Sequence, residues 1–147
     1  MTDTITTWRD ITGLTAEQAA QLAAGVHQTE EDLLEMAQTM AERNHLQTTL
    51  AHIAAPARAH RAGAWYDDGA RITRTIYGTE AVLDTVTARV VGEQDSGGAL
   101  TAWVEVIENR GHDGAGMTAG QARELAAALL DAADELDRLT GDAPPFQ

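Results

Sequence analysis

Between Met117 and Leu139 apolar residues return every three or four positions. Ala122, Leu125, Ala126, Leu129, Ala133 and Leu136 fall on one arc of a helix, and Arg123, Glu124, Asp131, Asp134, Glu135 and Arg138 fill the other. Thr118 with Gln121 three residues on is a Thr-x-x-Gln capping box, so the spacing predicts a helix that starts there and buries an alanine-rich stripe. A second box, Thr15 with Gln18, opens a helix at the other end of the chain, and Gly25 and Val26 close it. GLTAEQAAQLAA (13–24) echoes GMTAGQARELAA (116–127), but nothing between them repeats, which favours convergence on a good cap over duplication. Thr29 with Asp32 opens the next helix, with Glu30 and Glu31 set for its dipole. Leu33, Met36, Ala37, Met40 and Ala41 share its face, whereas Leu46, Leu50 and Ile53 point elsewhere. The chain therefore either breaks near Asn44 or, as the favoured expectation, continues as one long helix from Thr29 to about Ala54, ending before Pro56.

The pattern changes period after Gly69. Three runs alternate as strands do: Arg71 to Tyr77, Ala81 to Val91 and Ala99 to Ile107. Val82, Val86, Ala88 and Val90 are expected to share a face, as are Leu100, Ala102, Val104 and Val106, with GEQDSGG (92–98) as the turn between. Trp103 and Ile107 then project to the side opposite the closing helix. The fold class expected is α+β: an N-terminal helical hairpin, then a three-stranded antiparallel sheet packed under a C-terminal amphipathic helix. Residues 1–57 form the helical region and residues 58–147 the sheet and helix, together one compact unit.

Composition narrows the function. The 147 residues hold 23 acidic and 10 basic side chains, a formal charge of -13, which opposes direct binding to a phosphate backbone. Every basic residue is Arg, so no lysine is available for a Schiff base or a P-loop, and no cysteine for a disulfide, a thiolate nucleophile or a thiolate metal site. The stretch MTDTITTWRD lacks a signal pattern and no apolar run spans a bilayer, so the expectation is a cytoplasmic protein with no membrane association.

Candidate chemistry is sparse. Glu42-x-x-His45 puts a carboxylate and an imidazole one helical turn apart, as in carboxylate-bridged metal bundles, and His52 lies further along. Such a site calls for more ligands from other helices, so Glu42, His45 and His52 are metal candidates of an alternative reading only. Asn109 to Gly116 is a Gly-rich loop before a helix start, where phosphates are often held, but the strands look antiparallel and Thr118 already caps the helix. His112-Asp113 could orient an imidazole, yet the single serine, Ser96, lies in an acidic turn. Asp67-Asp68 fits a turn better than a calcium site. Arg58, His60 and Arg61 gather positive charge that could take an anion.

The segment from Trp65 to Leu139, about half the chain, resembles a small actinobacterial domain of unknown function also carried by phages of those hosts. The likeness rests on Trp65, the alternating strands and the closing TAGQARELAAALLDAAD helix (118–134). Members of that family often carry a Cys after the matching Trp with His residues following, which the resemblance would tie to a metal. Here Tyr66 follows, and no His occurs between Trp65 and Arg110, so no ligand is carried over. With no catalytic set and no cofactor indicated, the expectation is a non-enzymatic interaction protein of phage or prophage type. It would bind a host or phage protein and pair as a homodimer through Trp103, Ile107, Leu46, Leu50 and Ile53. Two alternatives stand beside it: a metal-binding protein or small metalloenzyme, and an acidic inhibitor that imitates nucleic acid.

Overall fold

The computed structural model describes residues 5–109, 111 and 116–141. The chain is α+β and divides into two compact units, Met1–His52 and Ile53–Gln147. Among the described residues no helix is long and apolar enough to cross a membrane.

In the first unit a single 3-10 turn, Trp8–Asp10, precedes α1 (Ala16–Ala23) and α2 (Glu30–Thr49). All three start on a reciprocal capping box, Thr7/Asp10, Thr15/Gln18 and Thr29/Asp32, in which the threonine hydroxyl takes an amide at the helix start and the third side chain returns the bond. Trp8, Leu22, Leu33 and Ala37 form the core, and Met36 and Met40 pack against it. The helix α2 runs unbroken through Asn44, whose amide instead reaches out to the Gly13 carbonyl at 2.7 Å and the Gln18 side chain. It stops at Thr49, short of the expected Ala54. Thr48 bonds back to the Asn44 carbonyl and the His52 ring sits 3.0 Å from the Thr49 carbonyl, so the last turn is closed before Ile53.

The second unit is an antiparallel sheet of five strands with α3 (Ala119–Thr140) against it: β1 (Arg61–Ala62), β2 (Tyr66–Asp67), β3 (Ile72–Val82), β4 (Val86–Asp95) and β5 (Leu100–Glu108). The expected three strands become five because β1 and β2 line the free edge of β3 inside what read as a connector. Two residues apiece are too few for alternation to register. The strand boundaries also move. The expected runs end at Tyr77 and resume at Ala81, but β3 continues across the interval through a bulge, where Gly78 and Thr79 both oppose Val90. The chain turns at Leu83–Thr85 instead, held by Asn109, which donates to the Leu83 carbonyl at 2.7 Å and accepts from the Thr87 hydroxyl. Gly92, Glu93 and Gln94 continue β4 rather than form a turn, and Asp95 closes the shorter loop by accepting from the Gly97 and Ala99 amides.

Register places Val86, Ala88 and Val90 beside Val104 and Val106 on the face under α3, as expected of them, whereas Val82 pairs with Thr87 on the opposite face. The alanine stripe of α3 is rotated by part of a turn. Leu125, Leu129 and Leu136 are half-buried and Ala132 is buried, but Ala122, Ala126 and Ala133 are exposed, with Ala128 and Leu139 turned inward in their place. Alanine fits either side of the arc, so only the leucines fixed the face in advance.

At one end of the helix-side face a polar knot replaces apolar packing. Gln94, 3 % exposed, accepts from Arg74 Nε at 2.9 Å and Nη2 at 2.7 Å, and donates to the Ala54 and Gly98 carbonyls. Arg74 also reaches the Ile53 carbonyl and stacks on the buried Trp65 ring, 4.5 Å from its centroid. These contacts tie the segment that begins the unit to the sheet.

Candidate functional site

Two surfaces of the second unit stand out, one on each face of the sheet. On the face away from α3 the register sets side chains in rows that cross the strands. Val82, Thr87 and Ile107 form one row; Glu80, Arg89 and Glu105 the next; Tyr77, Val91 and Trp103 the third. The charged row is internally paired, with Arg89 Nη2 2.6 Å from a Glu105 oxygen. The aromatic row is extended on the β1 side by Arg61, whose guanidinium lies 3.8 Å from the Tyr77 ring centroid. Val91 is buried between its neighbours, but Trp103 is 42 % exposed, Ile107 38 % and Val82 69 %. Large apolar side chains on adjacent strands, interleaved with one charged row, make a sticky, patterned surface.

On the helix side α3 lies over β4 and β5 and least over β3. Beside β3 this leaves an open trough of about 550 Å3, floored by Ala81, Ala88, Ala128 and Ala132 and bordered by Glu124 on α3 and by residues 79–81 of β3. It runs, through Thr79 and Asp131, into a recess of about 510 Å3 lined by Arg58, His60, Glu135 and Arg138. The bulge builds the join. Thr79, the extra residue of β3, has no ladder partner for its amide and donates it to Glu135 Oε1 at 2.8 Å. Gly78 makes that approach feasible, since a Cβ there would stand 2.8 Å from the same oxygen. The other oxygen, Oε2, is buried with no hydrogen-bond partner among the described residues.

The structure sorts the residues singled out in the sequence. Trp103 and Ile107 are on the exposed face, whereas Leu50 is buried and Leu46 and Ile53 are half-buried. Glu42, His45 and His52 are exposed, with the His45 ring 3.5 Å from the Thr49 hydroxyl, and no three His, Asp or Glu residues gather in a metal-binding group among the described residues. Asp67 and Asp68 spend carboxylate oxygens on the turn before β3. Asp68 accepts from the Arg71 and Ala70 amides, which hold its carboxyl below the usual Asp range. Ser96 is exposed in the β4–β5 turn, and its amide is bonded to the Ile72 carbonyl. His112 and Asp113, with most of the Gly-rich loop, lie outside the described residues. Of the connector cations, Arg58 and His60 line the recess while Arg61 goes to the opposite face. Sequence reasoning missed Glu135 and Thr79. The i, i+4 pair Asp131/Glu135 was legible as a carboxylate ridge, but only the bulge turns it into a recess wall.

No protein-family model, curated protein or solved structure matches the chain.

Proposed function

We propose that the chain is a non-enzymatic interaction protein, of the phage or prophage type its closing helix suggests, acting in the cytoplasm and binding a protein partner through the sheet face opposite α3. One observation carries this reading: Trp103 on one side of the charged row and Ile107 with Val82 on the other, large apolar groups left exposed on one face of the sheet. Exposed aromatic and aliphatic groups supply the apolar area an interface needs, the Arg89–Glu105 pair between them supplies specificity, and the acidic remainder of the surface steers approach. In the same reading α1 and α2 act as a helical hairpin. A second copy is the first occupant, since two identical faces related by a two-fold axis bury each other's Trp103.

Sedimentation velocity over a concentration series tests it, with Trp103→Asp as the comparison. The wild type is expected to dimerise and the variant to stay monomeric with an unchanged circular dichroism spectrum. A wild type monomeric up to about 1 mM, or a variant that pairs equally well, overturns the self-association.

A further inference from the structure

We propose that the recess and trough beside α3 form a binding site for a small apolar α-amino acid, its charged ends held at Arg58, Arg138 and Glu135 and its side chain laid along the alanine floor. The recess carries both signs of charge unspent. Among the described residues neither Arg58 nor Arg138 has a carboxylate within 4.0 Å, although Asp131 and Glu135 line the same walls. Arg138, exposed and lining the recess, gives its Nε to the Asp134 carbonyl at 3.0 Å, and its terminal nitrogens have no carboxylate partner among the described residues. Glu135 uses one oxygen on the Thr79 amide, and its other oxygen is shielded from solvent with no hydrogen-bond partner among the described residues, a cost in free energy that is relieved when a donor displaces its cover; Asp131 on the same wall is exposed.

The balance of charge selects the ligand. A simple anion meets the carboxylates of Asp131 and Glu135, and a simple cation meets two guanidiniums. A zwitterion satisfies both, its ammonium donating to the carboxylates and its carboxylate accepting from the arginines and His60. The trough then decides the remainder. It begins at the residues that close the recess, Thr79 and Asp131, and its floor is methyl groups. Each portion lies within the range of small-molecule sites, and both are open to solvent, so affinity is modest and set by the charged ends.

The probe is L-leucine, titrated into the full chain and followed by amide chemical shifts. Isocaproate, which lacks the ammonium, and isopentylamine, which lacks the carboxylate, are the truncated comparisons. Leucine is expected to give saturable shifts at Thr79, Asp131 and Glu135. Either truncation, and either Arg138→Gln or Glu135→Gln, is expected to weaken binding about tenfold or more. Glu135→Gln keeps an acceptor for the Thr79 amide. Should it nonetheless unfold, Asp131→Asn on the exposed side of the recess makes the same measurement. The proposal is overturned if leucine gives no saturable shift at about 20 mM, or if isocaproate or isopentylamine binds as tightly as leucine.

Discussion

Replacing Gln94 by leucine should destabilise the second unit by about 3 kcal/mol, although the two side chains are close in volume and the site is almost wholly shielded. The carboxamide oxygen receives two N–H groups of Arg74, at 2.9 and 2.7 Å, and the amide nitrogen serves two backbone carbonyls at 3.1 and 3.2 Å. A fork of charge-assisted bonds to one acceptor contributes about 3 kcal/mol and the two longer neutral bonds about 1 kcal/mol each. Burying a leucine instead returns about 2 kcal/mol. The net loss is the difference. Urea unfolding reads it, with Trp65 as reporter in a background carrying Trp8→Phe and Trp103→Phe, since the Trp65 ring lies on Arg74. A double-mutant cycle with Arg74→Met separates pairing from packing. If the loss arises from a stranded guanidinium, the double variant is less destabilised than the sum of the single ones by about 1.5 kcal/mol or more. A single-variant loss below about 1 kcal/mol, or strict additivity, refutes the account.

Gly78→Ala and Gly69→Ala should both destabilise, for different reasons. At Gly78 the new methyl would stand 2.9 Å from the Val90 Cβ and 2.8 Å from Glu135 Oε1, and the clash should cost about 2 kcal/mol. At Gly69 nothing lies within 4 Å but φ is +85°, so about 1 kcal/mol of backbone strain is expected, and Asn there should recover part of it. Thermal unfolding of the two variants beside Gly69→Asn checks the order, and equal losses at both glycines contradict it. Asp32 should titrate below the usual Asp range, because the Thr29 hydroxyl and then the Thr29 amide donate to its carboxylate. A lowered folded pKa means the cap is fully formed above the unfolded Asp value and is lost as pH falls through the folded one. Carboxyl chemical shifts followed from neutral to acid pH, with Thr29→Ala as comparison, measure this. An Asp32 curve unmoved by that substitution would contradict the assignment.

The elements that announced themselves in the sequence are those whose signal is local. Thr15, Thr29 and Thr118 each begin a helix in the structure because a capping box needs only four consecutive residues. The same signature at Thr7 and Asp10 starts a turn that the Thr-rich opening concealed. What stayed hidden depends on partners far along the chain. The strands β1 and β2 exist through β3's free edge. The knot at Gln94 joins residues forty positions apart, and GEQDSGG is glycine-rich enough to imitate a turn while Gly92 is in fact pressed between Leu100 and Ala102. Within α3 the charged residues marked the outer arc but could not fix it to better than one residue, since alanine costs little on either side.

The trough, the recess and the exposure of Val82 trace to one residue too many in β3. Paired without a bulge, the same sequence would set Glu80 opposite Ala88 and Val82 opposite Val86, driving a carboxylate under α3 while keeping the valines together. That is the register hydrophobic alternation suggests. The observed register takes the other course. Glu80 goes outward to pair with Arg89's row, Ala81 goes inward against Ala88, and Val82 is given up to solvent beside Thr87 and Ile107. An unpaired carboxylate under a helix costs more than one exposed valine, so the bulge is the cheaper solution. It has two geometric consequences. Substituting Ala81 for a valine under α3 leaves the trough open, and the amide of Thr79, freed from the ladder, fixes Glu135 at the trough's end. Exposing Val82 completes the apolar row on the opposite face. The charged recess on one side of the sheet, and the valine added to the Trp103 and Ile107 face on the other, thus follow from a single local choice between stranding a charge and wetting a methyl pair.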